Sequence, residues 1–522
     1  MIRRVPYLKS GLFLVLLAAF FLVRGIAIQG LYPPLEGPDE YQHIAVIQYL
    51  VENRSVPVYG RARVPVSLYP DIVANPHPRH SVEQTAHIGA LSYERFYTGR
   101  PRAGDGTINL YQAQHPPLYY ICMAPLYAWS RATLGFRPTV YLLRLVNIAA
   151  AALGLACLLY PLLRIPRDGS LGRLFCLAAA ASPMFMVYVS RVANDAFAIL
   201  FAGMGMVLVL RACGAQRAGM TAGLAGVCTG LAVVSKLNGL VAVPVAVGYW
   251  MFLALLSAIT WRAAIRCAVW FLAGYLVIAL PFHLWAWTHY GTLLPQQETI
   301  RNIADGNSVL ACIREIRPQH LWTFFVKRII SHTLWTSGWS FLGLPYPPAF
   351  AYRVLVLCAA CGGLFWLLRR RRSRASLPFR DWPILFFCVA LASVTFCAAY
   401  LHGLHSLVAY GLVATPSYYV MIGYPAFLAC LFAASLGYGR KISAALAFLM
   451  LALFMLSELY GLLCVAAPYW AQTGEWSQML ARLDSVHPGF PSSVHFFIFY
   501  AAALALLLVA LRSCFAVSEN RP

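Results

Sequence analysis

The chain alternates long apolar runs with short polar connections from one end to the other. The first run is "GLFLVLLAAFFLVRGIAIQG" (Gly11–Gly30). Comparable runs recur at about 140–163, 172–190, 195–212, 218–235, 239–257, 263–286, 348–368, 382–401, 417–436, 442–466 and 495–513. A helix of about 20 apolar residues crosses a hydrocarbon core of roughly 30 Å. A weaker segment, about 116–134, is interrupted by Pro125 and carries Arg131. It is expected to lie in the interface or to insert only in part. The pattern predicts an all-α polytopic membrane protein with about 12 crossings, within a range of 11–13. A cleavable signal peptide is the competing reading of the first run, but its length and Arg24 favour an uncleaved span.

Orientation follows from the basic clusters, which gather on the cytoplasmic side of membrane proteins. They are the N-terminus, "RIPRDGSLGR" (Arg164–Arg173), "RACGAQR" (Arg211–Arg217), "WRAAIR" (Trp261–Arg266), "RRRRSR" (Arg369–Arg374), "GRK" (Gly439–Lys441) and the tail from Arg512. Twelve crossings put all seven inside, and this parity is why 116–134 is expected not to cross fully. "LEGPDEYQH", "RVANDAF" (Arg191–Phe197) and "SKLNG" (Ser235–Gly239) then converge on the outer face, with a long first outer loop over 31–115.

Composition agrees. Sixty per cent of residues are hydrophobic and 11% are charged, where a soluble domain has nearer a quarter charged; mean hydropathy is +0.67. The net charge of +22 would suit nucleic acid in a soluble chain. Here it belongs to the connections between spans, so no nucleic-acid partner is expected. The 14 cysteines lie almost all in apolar runs, where they act as small hydrophobes.

Only 18 residues of 522 are acidic, yet Glu36, Asp39 and Glu40 gather just past the first span. "GPDEYQH" reads as a helix start, with Pro38 suited to the first position and Asp39 and Glu40 to the first turn. His43 shares a face with either acid. A capped helix in a solvated loop is the plainer reading. Carboxylates at a membrane boundary are costly, however, and usually functional. "QAQHPPLYYI" (Gln112–Ile121) offers His115, Tyr119 and Tyr120 at a second helix start, or simply an aromatic belt. Arg191, Asn194, Asp195 and Lys236 sit at outer ends of paired spans, where snorkelling is the ordinary explanation for Lys and Arg. "HTLWTSGWSFLGLPYPP" (His332–Pro348) is aromatic and Gly-rich.

Taken in order, these motifs resemble the GT-C superfamily of membrane glycosyltransferases, and within it a bacterial multi-span family. That family shows PDE-x-x-H, HPPLYY, LRL-x-N, NDA and a T/S-K-L-x-G segment, then a Trp/Gly-rich stretch before Leu-Pro. Here these are Pro38–Glu40 with His43, His115–Tyr120, "LRLVN" (Leu143–Asn147), Asn194–Ala196, Ser235–Gly239 and "WTSGWSFLGLP". Relatives often carry Gly-Arg-Tyr near the end, whereas "TPSYYVMIGYP" (Thr415–Pro425) has Ser417-Tyr418 and no arginine.

The resemblance implies a GT-C catalytic module over 1–345, further membrane helices over 346–522, and no separate soluble domain. It implies transfer, with inversion, from a polyprenyl-phosphate-linked sugar to a hydroxyl of a lipid, glycan or protein. The place would be the outer face of the bacterial cytoplasmic membrane, among membrane lipids. Asp39 would be the base, with Glu40 orienting the acceptor or sharing a metal with Asp39. A divalent ion, magnesium or manganese, is left open and no cofactor is assigned. The substrate-binding candidates are His43, His115, Tyr119, Arg144, Arg191, Asn194, Asp195, Lys236, Trp339 and Tyr418, with Lys236, Arg144 and then Arg191 as phosphate contacts. A transporter or flippase of lipid-linked glycans is the alternative, as is a glycan polymerase or ligase of related architecture. Glu458, deep in an expected span, is the residue that would suit transport.

The orientation is tested by labelling from outside. A cysteine probe near Gly306 should react and one near Ser373 should not; the reverse pattern would overturn the outer placement of the motifs.

Overall fold

In the computed structural model, the described residues are 7–37, 39–74, 108–314, 316–322, 324, 330–337, 342–373, 381–411, 417–471, 473–486 and 492–515. The regular structure of the described residues is helical, apart from a two-residue hairpin pairing Thr336–Ser337 with Leu342–Gly343 and an isolated bridge between Arg63 and Asn109. The principal helices are α1 (Tyr7–Gln29), α2 (Glu40–Asn53), α3 (Leu118–Leu134), α4 (Phe136–Leu159), α5 (Gly169–Ala180), α6 (Pro183–Val189), α7 (Asp195–Ala212) and α8 (Ala218–Ser235). There follow α9 (Ala242–Leu255), α10 (Trp261–Tyr290), α11 (Gln297–Ala304), α12 (Tyr346–Ser373), α13 (Trp382–Tyr410), α14 (Tyr424–Ser435), α15 (Arg440–Tyr460) and α16 (Ser493–Phe515).

Among the described residues, ten helical segments are long and apolar enough to cross a membrane. They coincide with ten of the twelve expected runs. The other two runs are helical but altered. The 172–190 run is the pair α5 and α6, bent by 45°; counted as one span it makes eleven. The 417–436 run becomes the shorter apolar helix Tyr424–Tyr438, preceded by a 3-10 turn over Ser417–Val420. Both departures have a physical reason. Pro183 has no amide hydrogen to continue the α5 ladder. Irregular backbone at membrane depth is tolerated where it lines a cavity, and Tyr188 and Tyr419 both line one. The weak 116–134 segment is α3, a continuous helix with Pro125 inside it, and it is not among the membrane-length helices.

The bend at α5–α6 is tied to the first span. Arg24, fully buried in α1, donates from Nη1 to Ala180 O at 3.0 Å and from Nη2 to Ala181 O at 2.8 Å. These are carbonyls that an unbroken helix would have used. The same guanidinium grips Glu458 on α15 through Nε and Nη2, each at 2.6 Å, and Tyr500 of α16 donates to Glu458 Oε1 at 3.0 Å. The acid deep in a span is therefore one half of a buried ion pair that joins four helices. Close backbone approach joins α4 to α7. A Cβ at Gly154 would lie 2.5 Å from Ile199 O, and one at Gly203 would lie 2.4 Å from Gly154 O. Small residues permit such crossings in membrane bundles.

Basic groups expected on one side do meet at one end. Arg164 pairs with Asp381 at 2.7 Å, Arg440 pairs with Asp168 at 2.7 Å, and Arg173 donates to Ser513 O at 2.8 Å.

Removing one partner of a buried pair leaves the other charge uncompensated and costs about 3–5 kcal/mol. Glu458→Ala should sharply lower the melting temperature in detergent. Arg24→Met with Glu458→Leu should recover much of the loss. A single variant melting like the parent would show that the pair does not hold the bend.

Candidate functional site

At the end opposite the basic contacts, a cavity of about 250 Å³ opens. Asp39, His43 and His115 line it from the first loop, Arg191, Asp195 and Lys236 from the α6–α7 and α8–α9 turns. Gln296, Glu298, His402 and Tyr419 close the far wall.

The loop after α1 is wound tightly. Leu35 and Asp39 both have left-handed backbone, with φ of 69° and 57°. Such conformations cost of order 1–3 kcal/mol where they are imposed on non-glycine residues, although Asp tolerates them better than most. What imposes this one is Arg144 on α4. Its Nη1 and Nη2 donate to the carbonyls of Tyr32 and Pro33, each at 2.8 Å. Its Nε and Nη2 hold both oxygens of Glu40 at 2.7 and 2.6 Å. Glu40 Oε1 also accepts from the amide of Val192 at 2.8 Å, and these contacts hold its carboxyl below the usual range despite full burial. One turn further along α4, Asn147 donates to the carbonyls of Arg191 and Ala193. "LRLVN" thus presents two polar side chains that fix two loops against each other.

Asp39 is the N-cap residue of α2 but makes no side-chain capping bond. Its carboxylate turns to the cavity and accepts from Tyr111 Oη at 2.6 Å. Burial raises its pKa from 3.8; the Tyr111 hydrogen bond and the charge of Lys236 pull the other way, and Asp195 adds to the rise. His43 packs beside it, its Nδ1 2.8 Å from Tyr120 Oη and its ring stacked on His115 at 6.1 Å. Burial, then His115 and Lys236, push His43 well below 6.5, and burial, then Lys236, lowers His115 to about 3.

Lys236 stands in extended backbone where α8 ends. Its Nζ contacts both Asp195 oxygens, at 2.8 and 2.7 Å, and lies 5.9 Å from the Tyr419 ring centre. Arg191 is 1% exposed. Its guanidinium donates to Glu36 O at 3.1 Å and Ser337 Oγ at 3.3 Å, and lies 4.4 Å over the Tyr32 ring. Those partners are neutral, and Arg191 Nε has no hydrogen-bond partner. Gly37 leaves it room, since a Cβ there would come within 2.5 Å of Arg191 Cδ.

Of the residues expected at the site, Asp39, His43, His115, Arg191, Asp195 and Lys236 share the cavity. Glu40, Tyr119, Arg144 and Asn194 do not line it. Glu40 and Arg144 are spent on each other, which takes Glu40 from the acceptor and Arg144 from the phosphate. Tyr119 packs edge-on against Phe197 at 5.2 Å, and Asn194 donates to Ser235 O at 3.0 Å, joining the α6–α7 turn to the end of α8. Trp339 lies outside the described residues. Tyr418 falls in the Ser417–Val420 turn, with its side chain outside what is described. Among the described residues no three His, Cys, Asp or Glu side chains gather as metal ligands. With Glu40 turned to Arg144, the pair Asp39 and Glu40 does not fit a shared metal.

Sequence reasoning missed Tyr111, the glutamines at 112, 114, 296 and 297, Glu298, His402 and Tyr419. His402 stacks on Tyr419 at 4.2 Å and faces Gln296 Oε1 at 3.1 Å; Gln297 donates to Tyr111 O at 2.8 Å, closing the first loop against α11. A signal existed for the glutamines, since "QAQH" and "PQQE" place polar amides beside apolar spans. His402 carried none that set it apart from His405, one turn further along the same apolar stretch.

The two acids should respond oppositely to neutralisation. Glu40→Gln breaks a buried pair and should lower thermal stability by several kcal/mol. Asp39 has a raised pKa, so above that pH its ionised form opposes folding. Asp39→Asn should therefore melt at neutral pH no lower than the parent. A large loss in Asp39→Asn, with Glu40→Gln unaffected, would exchange the two roles.

In comparison with solved structures, the chain is similar to ArnT from Cupriavidus metallidurans bound to undecaprenyl phosphate. Identity is 17%, coverage is 96% of this chain and 73% of that one, and the TM-score is 0.42. It is also similar to the Archaeoglobus fulgidus oligosaccharyltransferase in the apo form, at 13% identity, 94% and 59% coverage and a TM-score of 0.47. The complex of that archaeal enzyme, AglB, with an inhibitory peptide and a dolichol-phosphate matches at 13% identity, 88% and 55% coverage and a TM-score of 0.42. No curated protein matches the sequence. Residues 21–409 match a family described as predicted membrane protein (DUF2142); this stretch covers most of the chain, and the protein, a multi-span helical membrane protein, belongs to that family.

Proposed function

We propose that the protein is a GT-C-type glycosyltransferase that moves a sugar from a polyprenyl-phosphate donor to an acceptor hydroxyl. The observation that carries this reading is the meeting of Asp39 with two buried cations, Lys236 and Arg191, in one cavity.

The chemistry needs two things. An acceptor hydroxyl must lose its proton as its oxygen attacks the anomeric carbon, and the phosphate must leave with the bonding electrons. Asp39 is the base. A raised pKa brings a carboxylate closer to the pH at which it must act, which is how general bases gain strength. His43 and His115 are neutral and serve as hydrogen-bonding partners. Arg191 is the first cation for the leaving phosphate, because its charge meets neutral partners and its Nε is unfilled. Lys236 is the second, held in place by Asp195. Cationic groups preplaced where charge develops are a large source of transition-state stabilisation. Glu40 and Arg144 act as positioning residues. A base acting directly on the acceptor, without a covalent sugar–enzyme step, gives inversion. The site faces the outer side of the cytoplasmic membrane in this reading, since the contacts of Arg164, Arg173 and Arg440 lie at the other end. Glu458 supports the enzyme over transport: it is locked to Arg24 and lies away from the cavity.

Sugar transfer by purified protein, offered a panel of polyprenyl-phosphate sugars, tests the proposal. General-base catalysis is worth about 10²–10⁴-fold, so Asp39→Asn should lose roughly that much turnover while keeping its fold. On the acid side, kcat/KM should fall as pH drops through the raised Asp39 pKa, above 3.8, because the protonated acid cannot accept a proton. Tyr111→Phe removes a hydrogen bond that favours the carboxylate, so the acid limb should move to higher pH. Full turnover by Asp39→Asn, or a limb unmoved in Tyr111→Phe, would remove Asp39 as base.

A further inference from the structure

The cavity holds more polar machinery than a base and two cations require. Gln112 and Gln114, 5% and 4% exposed, both line it. The Oε1 atom of each is buried without a hydrogen-bond partner. Buried polar atoms are nearly always paired, so an orphan on a cavity wall calls for an explanation. Both orphans are uncharged acceptors, and each therefore asks for a donor. The Gln112 amide also lies close enough to Asp39 to favour its carboxylate form, so its unfilled oxygen stands near the proposed base.

The opposite wall is of the same kind. Gln296 and Gln297 line the cavity from the start of α11, and Asn238 adds a third amide. Tyr419 gives a flat ring backed by His402 at 4.2 Å. Planar amides that pair with O–H groups, together with aromatic faces that cover C–H surface, match a ring that is polar at its edges and apolar on its faces. The volume, about 250 Å³, lies just under the roughly 300–1,000 Å³ that hold drug-sized ligands. It suits one ring and not a chain of them.

We infer that the wall built from Gln112 and Gln114 is a subsite for a single neutral, hydroxyl-bearing sugar ring, whose O–H groups donate to the two unfilled glutamine oxygens. The inference rests on the transferase reading and names the ring chemistry it takes. A carboxylate on the ring would meet Asp39, Asp195 and Glu298 and would bring no donor to the orphans. An ammonium on the ring would sit in a cavity already holding Lys236 and Arg191. Hydroxyls satisfy the wall without either conflict.

The test is binding, read separately from transfer. Saturation-transfer NMR on the full-length protein in detergent would compare methyl glycosides of neutral hexoses and pentoses with glucosamine and glucuronate. A neutral ring should give the strongest signal. Monodeoxy analogues of that ring, used on the unaltered protein, should lose roughly 3- to 10-fold in affinity where a hydroxyl met a glutamine. Gln114→Met, of similar length and without an acceptor amide, should lose a similar factor while melting like the parent.

Preference for the amino sugar or the uronate, or a deoxy series with no weak member, overturns the inference. So does unchanged binding in folded Gln114→Met. A free glycoside that inhibits transfer competitively against the lipid donor assigns the ring to the donor. Competition against the acceptor assigns it there, and both results sustain the subsite. Transfer that persists undiminished in Gln114→Met, without ring binding, removes this inference and leaves the transferase reading standing. Ring binding that is lost in Gln114→Met, in a protein that transfers nothing, does the reverse.

Discussion

The grip of Arg144 on Glu40 is the constraint on which the site depends. Four of its hydrogen bonds fix a loop that has just left the first span, and Glu40 carries the restraint on to the amide of Val192. Without it, nothing obvious would keep Asp39 in left-handed backbone. Relaxed into the extended backbone usual for an N-cap, Asp39 would be free to cap α2, as Asp commonly does there. The pair thus converts a helix cap into a cavity carboxylate. A buried ion pair is often no better for stability than apolar packing. Its contribution here is to geometry, through a bidentate fork that allows one arrangement of the carboxylate.

The electrostatics follow from that placement. Asp39 sits among neutral histidines and beside Tyr111, so its carboxylate is solvated by few, fixed partners. Lys236 is balanced by Asp195, and Arg191 rests on a carbonyl, a hydroxyl and an aromatic ring. The net result is one carboxylate and one guanidinium, each incompletely satisfied, on the walls of a small space. Folding alone gains nothing from leaving Arg191 Nε and two glutamine oxygens unpaired on residues that line a cavity.

Much of the fold was legible because crossing a bilayer imposes length and apolarity on every span. All twelve apolar runs became helices. The exceptions in shape trace to residues visible in the chain, such as Pro183, but their consequence depends on what lies beside them: Arg24 takes up the carbonyls of Ala180 and Ala181 at the break before Pro183. The site was legible in its parts and less so in its division of labour. "PDE" announces two adjacent acids, and no local feature says which faces inward. That is decided by Arg144, more than a hundred residues away. His402, Tyr419 and the glutamines of α11 come from beyond the motifs altogether. His402 and Tyr419 join the cavity because α13 and the turn before α14 pack against the first module, so the expected boundary at 345 does not bound the cavity.

The two buried arginine–glutamate pairs divide the molecule's work. Arg24–Glu458 lies in the membrane-spanning bundle and mends a helix that Pro183 breaks. Arg144–Glu40 lies at the cavity and holds a loop against α4. Both use the same fork, both add backbone carbonyls to fill the remaining donors, and both join segments far apart in sequence. An ionisable residue inside an apolar span is usually taken as a sign of transport or catalysis. Here the carbonyl partners tell the uses apart. Where a guanidinium also satisfies backbone oxygens, its charge is committed to structure, as in Arg24 and Arg144. Arg191 also donates to one carbonyl, yet it has no carboxylate within ion-pair distance among the described residues, and its Nε remains open. By that criterion Arg191 is less committed to structure than Arg24 or Arg144.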